Sequence, residues 1–167
     1  MQLGLTNLYV TNLCKKLTGS YFVGTFACDV LKQKIGKTLI SKLKRNKEFA
    51  LVINMSPKSH PGSHFVALTY LCKRLVLFDS LALPFNDPNI EAFVNSITQN
   101  SNIRYVKLKV PLQPLDSYKC GYYCIAFVLH QYKTKATLED FIALFNEDKN
   151  KNDSFIIHYI TKFISDM

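Results

Sequence analysis

Leu5, Leu8, Tyr9, Leu13 and Leu17 recur at the interval of a helix, so the chain is expected to open with an amphipathic helix over residues 4–18, ending near Gly19. Residues 21–26 then read as a short extended segment, followed by a lysine-rich stretch with Leu39, Ile40 and Leu43 as its inward face. Residues 49–54 form a strand-like apolar run that ends in a turn-rich segment, 56–62. The runs 64–70 and 74–79 flank Cys72-Lys73 and predict a β-hairpin. Asp87 is placed to cap a helix reaching about Thr98, with Pro88 at the first helical position, where its missing N–H costs nothing. Residues 103–110 alternate apolar and basic, the pattern of a half-exposed strand. Beyond a loop, 111–119, residues 121–132 read as an apolar, buried helix, and two more helices are expected near 137–147 and 153–164. No internal repeat or low-complexity linker interrupts this order. It implies one domain, residues 1–167, of the α+β class, with a small mixed sheet packed against the helix that starts near Cys120.

Composition narrows the class. With 48% apolar and 13% aromatic residues in 167, the chain can bury a core and is not a disordered one. It has no 18-residue apolar run, so no membrane-spanning helix is expected. The first residues lack a basic segment followed by an apolar one, so a secretory signal is not expected either. Cys14, Cys28, Cys72, Cys120 and Cys124 are odd in number and scattered, which suits reduced intracellular thiols rather than a disulfide framework.

The net charge of +9 is lopsided: Lys32, Lys34, Lys37, Lys42, Lys44, Arg45 and Lys47 occur with no acidic residue between them. Two readings stay open. Lys37, Lys42, Lys44, Arg45 and Lys47 contact a polyanion such as DNA, or they form the solvated face of an amphipathic helix.

Candidate chemistry gathers around Cys120. A thiol at a helix N-terminus, near a histidine, can have its pKa drawn to roughly 3.5–7.5. Gly121 lets the chain turn closely there, the helix dipole favours a thiolate, and Lys119 adds positive charge beside it. Cys124, one helical turn on, fits a buried core cysteine. His64 opens an apolar strand just past a Pro-Gly turn, where it can serve as general base at a sheet edge, with Phe65 walling the cleft. His60 competes for that role from the turn; His130 and His158 lie on helices and suit core or surface positions. A hairpin turning at Cys72-Lys73 pairs positions summing to about 145, which brings Asp79 to the edge that holds His64 and lets it orient the imidazole. The Gln113 amide and the Cys120 backbone N–H would supply oxyanion donors. The set Cys120, Cys124 and His130 lacks a fourth ligand for a structural zinc, so no metal is expected.

Together, His64-Phe65, Phe78-Asp79-Ser80, Val110-Pro111-Leu112-Gln113 and Cys120-Gly121 resemble the clan of adenain and the SUMO-specific proteases, whose functional residues come in the order His, Asp or Glu, Gln, Cys. Within that clan the chain is most similar to adenain, the adenovirus-type endopeptidase, and to relatives in other DNA viruses and virus-like transposons. Residues 21–26 after an N-terminal helix resemble the adenain opening, and 120–127 resemble its nucleophile helix; the likeness runs from about residue 4 to 132.

The resemblance implies a papain-like cysteine protease architecture, with His64 as base, Asp79 as its orienter, Gln113 as oxyanion donor and Cys120 as nucleophile. It further implies a monomeric thiol endopeptidase that processes virion or mobile-element precursor proteins at glycine-containing sites. No cofactor would be required, DNA or a peptide would be a candidate activator, and the location would be intracellular, in a host nucleus or a virion. Three departures stand out. Phe65 replaces the family's tryptophan, Asp79 replaces adenain's glutamate, and residues 99–112 contain no cysteine to tether an activating peptide. The rival readings are an isopeptidase acting on ubiquitin-like conjugates, an acetyltransferase using the same His-acid-Cys layout, and a non-catalytic DNA-binding virion component.

Overall fold

The computed structural model describes residues 5–59, 64–84, 87–99 and 101–166. His60 and the Pro-Gly turn before His64 lie outside the described residues. Helix α1 (Asn7–Thr18) is capped by Thr6, whose side chain accepts from the Tyr9 N–H, and it ends at Gly19, whose positive φ glycine adopts without strain. Its buried stripe is Val10, Cys14 and Leu17, whereas Leu8 and Tyr9 are exposed. The helix is therefore rotated from the face that its leucines suggest.

Five strands follow in space as in sequence: β1 (Phe22–Ala27), β2 (Phe49–Asn54), β3 (Phe65–Leu71), β4 (Arg74–Phe78) and β5 (Arg104–Lys107). The central three are antiparallel, and β1 and β5 join β2 and β4 in parallel, so the sheet is mixed. At the β3–β4 turn, Cys72 and Lys73 both have positive φ, which suits a two-residue hairpin. Ala67 consequently faces Phe78, and Leu68 faces Leu77, the register expected from the turn.

All of β2 and β3 is buried, because helices cover both faces of the sheet. On one face Ala50, Val52, Phe65, Ala67, Val76 and Phe78 meet the central helix α4 (Cys120–Thr134), flanked by α1 and α6 (Lys149–Ser165). On the other, Leu51, Ile53, Val66, Leu68, Leu75 and Leu77 meet α2 (Leu31–Lys44) and α3 (Pro88–Thr98). The expected sheet-on-helix arrangement thus gains a second helical layer. In α2 the fully buried stripe is Leu31, Ile35 and Leu39, with Ile40 and Leu43 only partly covered.

Asp87 caps α3 through the Asn89 and Ile90 N–H groups, with Pro88 leading the helix as expected. Several boundaries differ from expectation, and β5 stops at Lys107 rather than running to residue 110. α5 spans only Leu138–Ile142, and α6 begins at Lys149 behind an Asp148 cap. Buried Asn152 pulls the intervening turn in: its Oδ1 accepts from Asn146 N, and its Nδ2 donates to Asn146 O and to Leu112 O.

Candidate active site

His64 immediately precedes β3 and Asp79 immediately follows β4, so the hairpin register brings both side chains to one edge of the sheet. Nε2 of His64 lies 2.7 Å from Asp79 Oδ1. The same carboxylate accepts from the Leu81 N–H at Oδ1 (3.0 Å) and from the Leu83 N–H at Oδ2 (3.1 Å), which fixes its orientation. The His64 carbonyl accepts from Met55 N at 2.8 Å, which anchors the backbone of the histidine to the end of β2.

The electrostatics follow from this packing. Burial favours neutral imidazole, but the hydrogen bond to Asp79, then Cys120, outweighs it, and the His64 pKa is pushed up to about 9. Burial likewise opposes the Asp79 anion, yet His64 and the Leu83 and Leu81 amides hold that carboxyl below its usual range. The two groups favour an imidazolium–carboxylate pair.

Cys120 is the first residue of α4 and is partly exposed. It is the second group acting on the His64 ring. Because Asp79 occupies Nε2, the ring nitrogen left for the sulfur is Nδ1. Gly121 has an ordinary helical backbone rather than a tight turn. A Cβ there would lie 3.2 Å from Leu5 Cδ1 and 3.4 Å from Phe65 Cδ2, so a side chain would have to push Leu5 aside by a few tenths of an ångström. Phe65 is buried under this first turn and is not the wall of an open cleft. Lys119 does not present a free charge to the thiol, since its ammonium lies 3.5 Å from Asp153 Oδ2.

Gln113 is held by both main chain and side chain. The Leu112 and Gln113 N–H groups donate to the Ser80 carbonyl at 2.9 and 3.0 Å. The Ser80 hydroxyl donates to Gln113 Oε1 at 2.6 Å, and Gln113 Nε2 donates to the Ser117 carbonyl at 2.7 Å. In the sequence, Ser80 stands beside Asp79 and Ser117 stands in the loop before Cys120 with nothing to mark either for a task. Their signal was only a small hydroxyl residue next to the acid and another in the loop before the thiol.

The structure thus places His64, Asp79 and Cys120 together and anchors Gln113 to Ser80, the residue after Asp79. Cys124 is fully buried, and burial first of all raises its thiol pKa well above the ordinary value. The Cys14 thiol is pushed up to about 12 by the same cause. His130 Nδ1 is 2.9 Å from the Tyr159 hydroxyl, whereas His158 is exposed on α6. Among the described residues, no group of three or more His, Cys, Asp or Glu side chains is placed to hold a metal ion. No described helix is long and apolar enough to cross a membrane. Lys37, Lys42, Arg45 and Lys47 line one shallow surface depression; Lys44 does not. It lies in the α2 layer, across the sheet from Cys120.

No protein-family model matches the chain, and no curated protein matches it. Solved structures do. The Chlamydia trachomatis effector protein Cdu1, bound to ubiquitin, aligns over 96% of this chain and 92% of its own, at 15% identity and a TM-score of 0.64. The ASFV pS273R protease aligns over 89% of this chain and 64% of its own, at 12% identity and a TM-score of 0.65. The SUMO protease Ulp1, with its catalytic cysteine oxidised to a sulfenic acid, covers 94% of this chain and 77% of its own, at 16% identity and a TM-score of 0.50. What such distant chains share is the fold, and this chain has the papain-like, Ulp1-like cysteine protease fold.

Proposed function

We propose that this chain is a thiol peptidase in which Cys120 is the nucleophile, His64 the proton carrier, Asp79 the orienter of His64, and Gln113 an oxyanion donor. The observation that carries this reading is the His64–Asp79 pair, 2.7 Å apart and largely buried, with the Cys120 thiol as the other group acting on the ring. With the thiol proton already held on His64 as imidazolium, Sγ of Cys120 bonds to a peptide carbonyl carbon as the C=O π bond opens. The carbonyl oxygen becomes an oxyanion facing Gln113 Nε2 and the Cys120 N–H. Imidazolium then gives its proton to the leaving amine as the C–N bond breaks. Water, deprotonated by His64, splits the thioester and frees the acid and the thiol.

The finer reading is an adenain-like endopeptidase that cleaves virion or mobile-element precursors at glycine-containing sites. Its support is the N-terminal helix running into β1 and the motif set from His64 to Cys120. We place it inside cells, in a host nucleus or a virion, as a monomer with no required cofactor. DNA is a candidate activator on the strength of the basic α2 face alone. The second reading, a deconjugating isopeptidase, is favoured by the likeness to a ubiquitin-bound effector and a SUMO protease.

Cys120→Ala and His64→Ala should each abolish cleavage of a glycine-containing precursor peptide, and full activity in either would sink the assignment. A ubiquitin-like vinyl-sulfone probe set against that peptide separates the readings: rapid labelling without peptide cleavage favours the isopeptidase.

A further inference from the structure

Gln113 can serve an oxyanion only if its amide presents N–H, not C=O, to the reacting carbonyl. A primary amide carries two N–H donors and one carbonyl acceptor on nearly the same outline, so something must choose between its two orientations. The Ser117 carbonyl, which can only accept, makes the choice, and the Ser80 hydroxyl, which can donate or accept, holds the amide there by donating to it. Nε2 gives one hydrogen to the Ser117 carbonyl at 2.7 Å, and Oε1 accepts from the Ser80 hydroxyl at 2.6 Å. Turned over, the amide would aim Oε1 at the Ser117 carbonyl, acceptor against acceptor. As placed, Nε2 keeps a second N–H that the Ser117 bond does not use. Ser80 and Gln113 are both almost wholly buried, so no bulk water replaces the hydroxyl.

We infer that Ser80 is a positioning residue that aligns the Gln113 amide for oxyanion stabilisation. The assignment rests on the proposed thiol-peptidase mechanism and deepens it. The hydrogen bonds of Ser80 go to Leu112 and Gln113, not to the thiol or the imidazole. It binds the Gln113 loop twice, through its carbonyl to the Leu112 and Gln113 amides and through its hydroxyl to the side chain. Asp79, one residue earlier, holds His64. The end of β4 therefore fixes the base with one residue and the oxyanion donor with the next.

The test is a double-mutant cycle of Ser80→Ala and Gln113→Ala, assayed on a fluorogenic N-acyl-Gly-Gly aminocoumarin amide, with Cys120 alkylation by iodoacetamide followed against pH. Ser80→Ala should lower kcat roughly 10-fold or more at nearly unchanged KM, short of the ~10²–10³ for losing a donor outright. The alkylation profile should match wild type, since it reads only the Cys120–His64 pair and also certifies the fold. Ser80→Thr, which keeps the hydroxyl, should exceed Ser80→Ala severalfold. On the Gln113→Ala background, Ser80→Ala should cost nothing further. Full kcat in Ser80→Ala with a slow Gln113→Ala, or additive losses in the double variant, would overturn the role of Ser80 alone. Full kcat in Gln113→Ala would overturn the oxyanion assignment itself. A wild type that leaves the amide intact, with Cys120 alkylation indifferent to His64→Ala, would overturn the peptidase reading.

Discussion

Asp79→Asn removes one charge while keeping the side chain's shape. The rise of His64 from 6.5 to about 9 corresponds to roughly 3 kcal/mol in favour of the imidazolium, at ~1.36 kcal/mol per pH unit. The His64 side chain is only 10% exposed, so solvent screens this little. Asp79 and Cys120 supply the rise against the opposing effect of burial. With asparagine, burial is countered by Cys120 alone, and the His64 midpoint should fall by more than one pH unit. An asparagine that kept its oxygen on His64 would also turn its NH₂ toward the Leu83 N–H, donor against donor.

The effect on stability has a definite sign. A histidine raised from 6.5 to about 9 stabilises the fold fully below 6.5, and that contribution fades as pH climbs through 9. Asp79, held below its usual range, stabilises above that range and is lost as pH falls through its depressed value. Wild type should therefore lose stability on both sides of a mildly acidic plateau, and Asp79→Asn should flatten both flanks. NMR titration of the His64 ring and denaturation midpoints from pH 3 to 10 read these effects directly, and kcat should fall ~10²-fold or more. A wild-type His64 titrating near 6.5, or one unmoved by Asp79→Asn, would refute the reasoning.

Three further outcomes are expected. Gly121→Ala inserts a methyl 3.2–3.4 Å from Leu5 and Phe65. Overpacking of about 1–3 kcal/mol, offset by up to ~1 kcal/mol of helix propensity, should leave a net loss of up to ~2 kcal/mol, and a gain in stability on denaturation would contradict that contact. In the native protein iodoacetamide should label Cys120 and exposed Cys72 but spare Cys124 and Cys14, as peptide mass mapping would show; early labelling of Cys124 would place it outside the core. Asn152→Ala removes three hydrogen bonds and strips a partner from the Leu112 carbonyl, so thermal unfolding should report a loss of ~2–3 kcal/mol. A loss below ~0.5 kcal/mol would show that the Gln113 loop does not depend on this anchor.

What could be read in advance was what local chemistry dictates. The Cys72-Lys73 turn sets the β3–β4 register, and with it the meeting of His64 and Asp79 at one sheet edge. The Asp87-Pro88 pair fixed the start of α3. The covering of both sheet faces was hidden because β2, β3 and β4 are apolar at nearly every position, so alternation gives no sign of which face is covered. On α1, spacing alone could not choose between the leucine face and the Val10–Cys14–Leu17 face, since both keep helical intervals. Lys119 looked like free charge until tertiary packing brought Asp153 to it. Gln113 is held by the hydroxyl of Ser80, 33 residues away in the chain, and no local pattern announces that partner.

Intact-mass analysis after acid quench tests the central claim most directly, with the protein mixed with the glycine-containing peptide amide or the ubiquitin-like vinyl sulfone. One covalent adduct should form on wild type and map to Cys120. It should be absent in Cys120→Ala and form at a small fraction of the rate in His64→Ala. An adduct that maps to Cys72, or one that forms as fast without His64, would contradict the assignment of Cys120 and His64 as nucleophile and base.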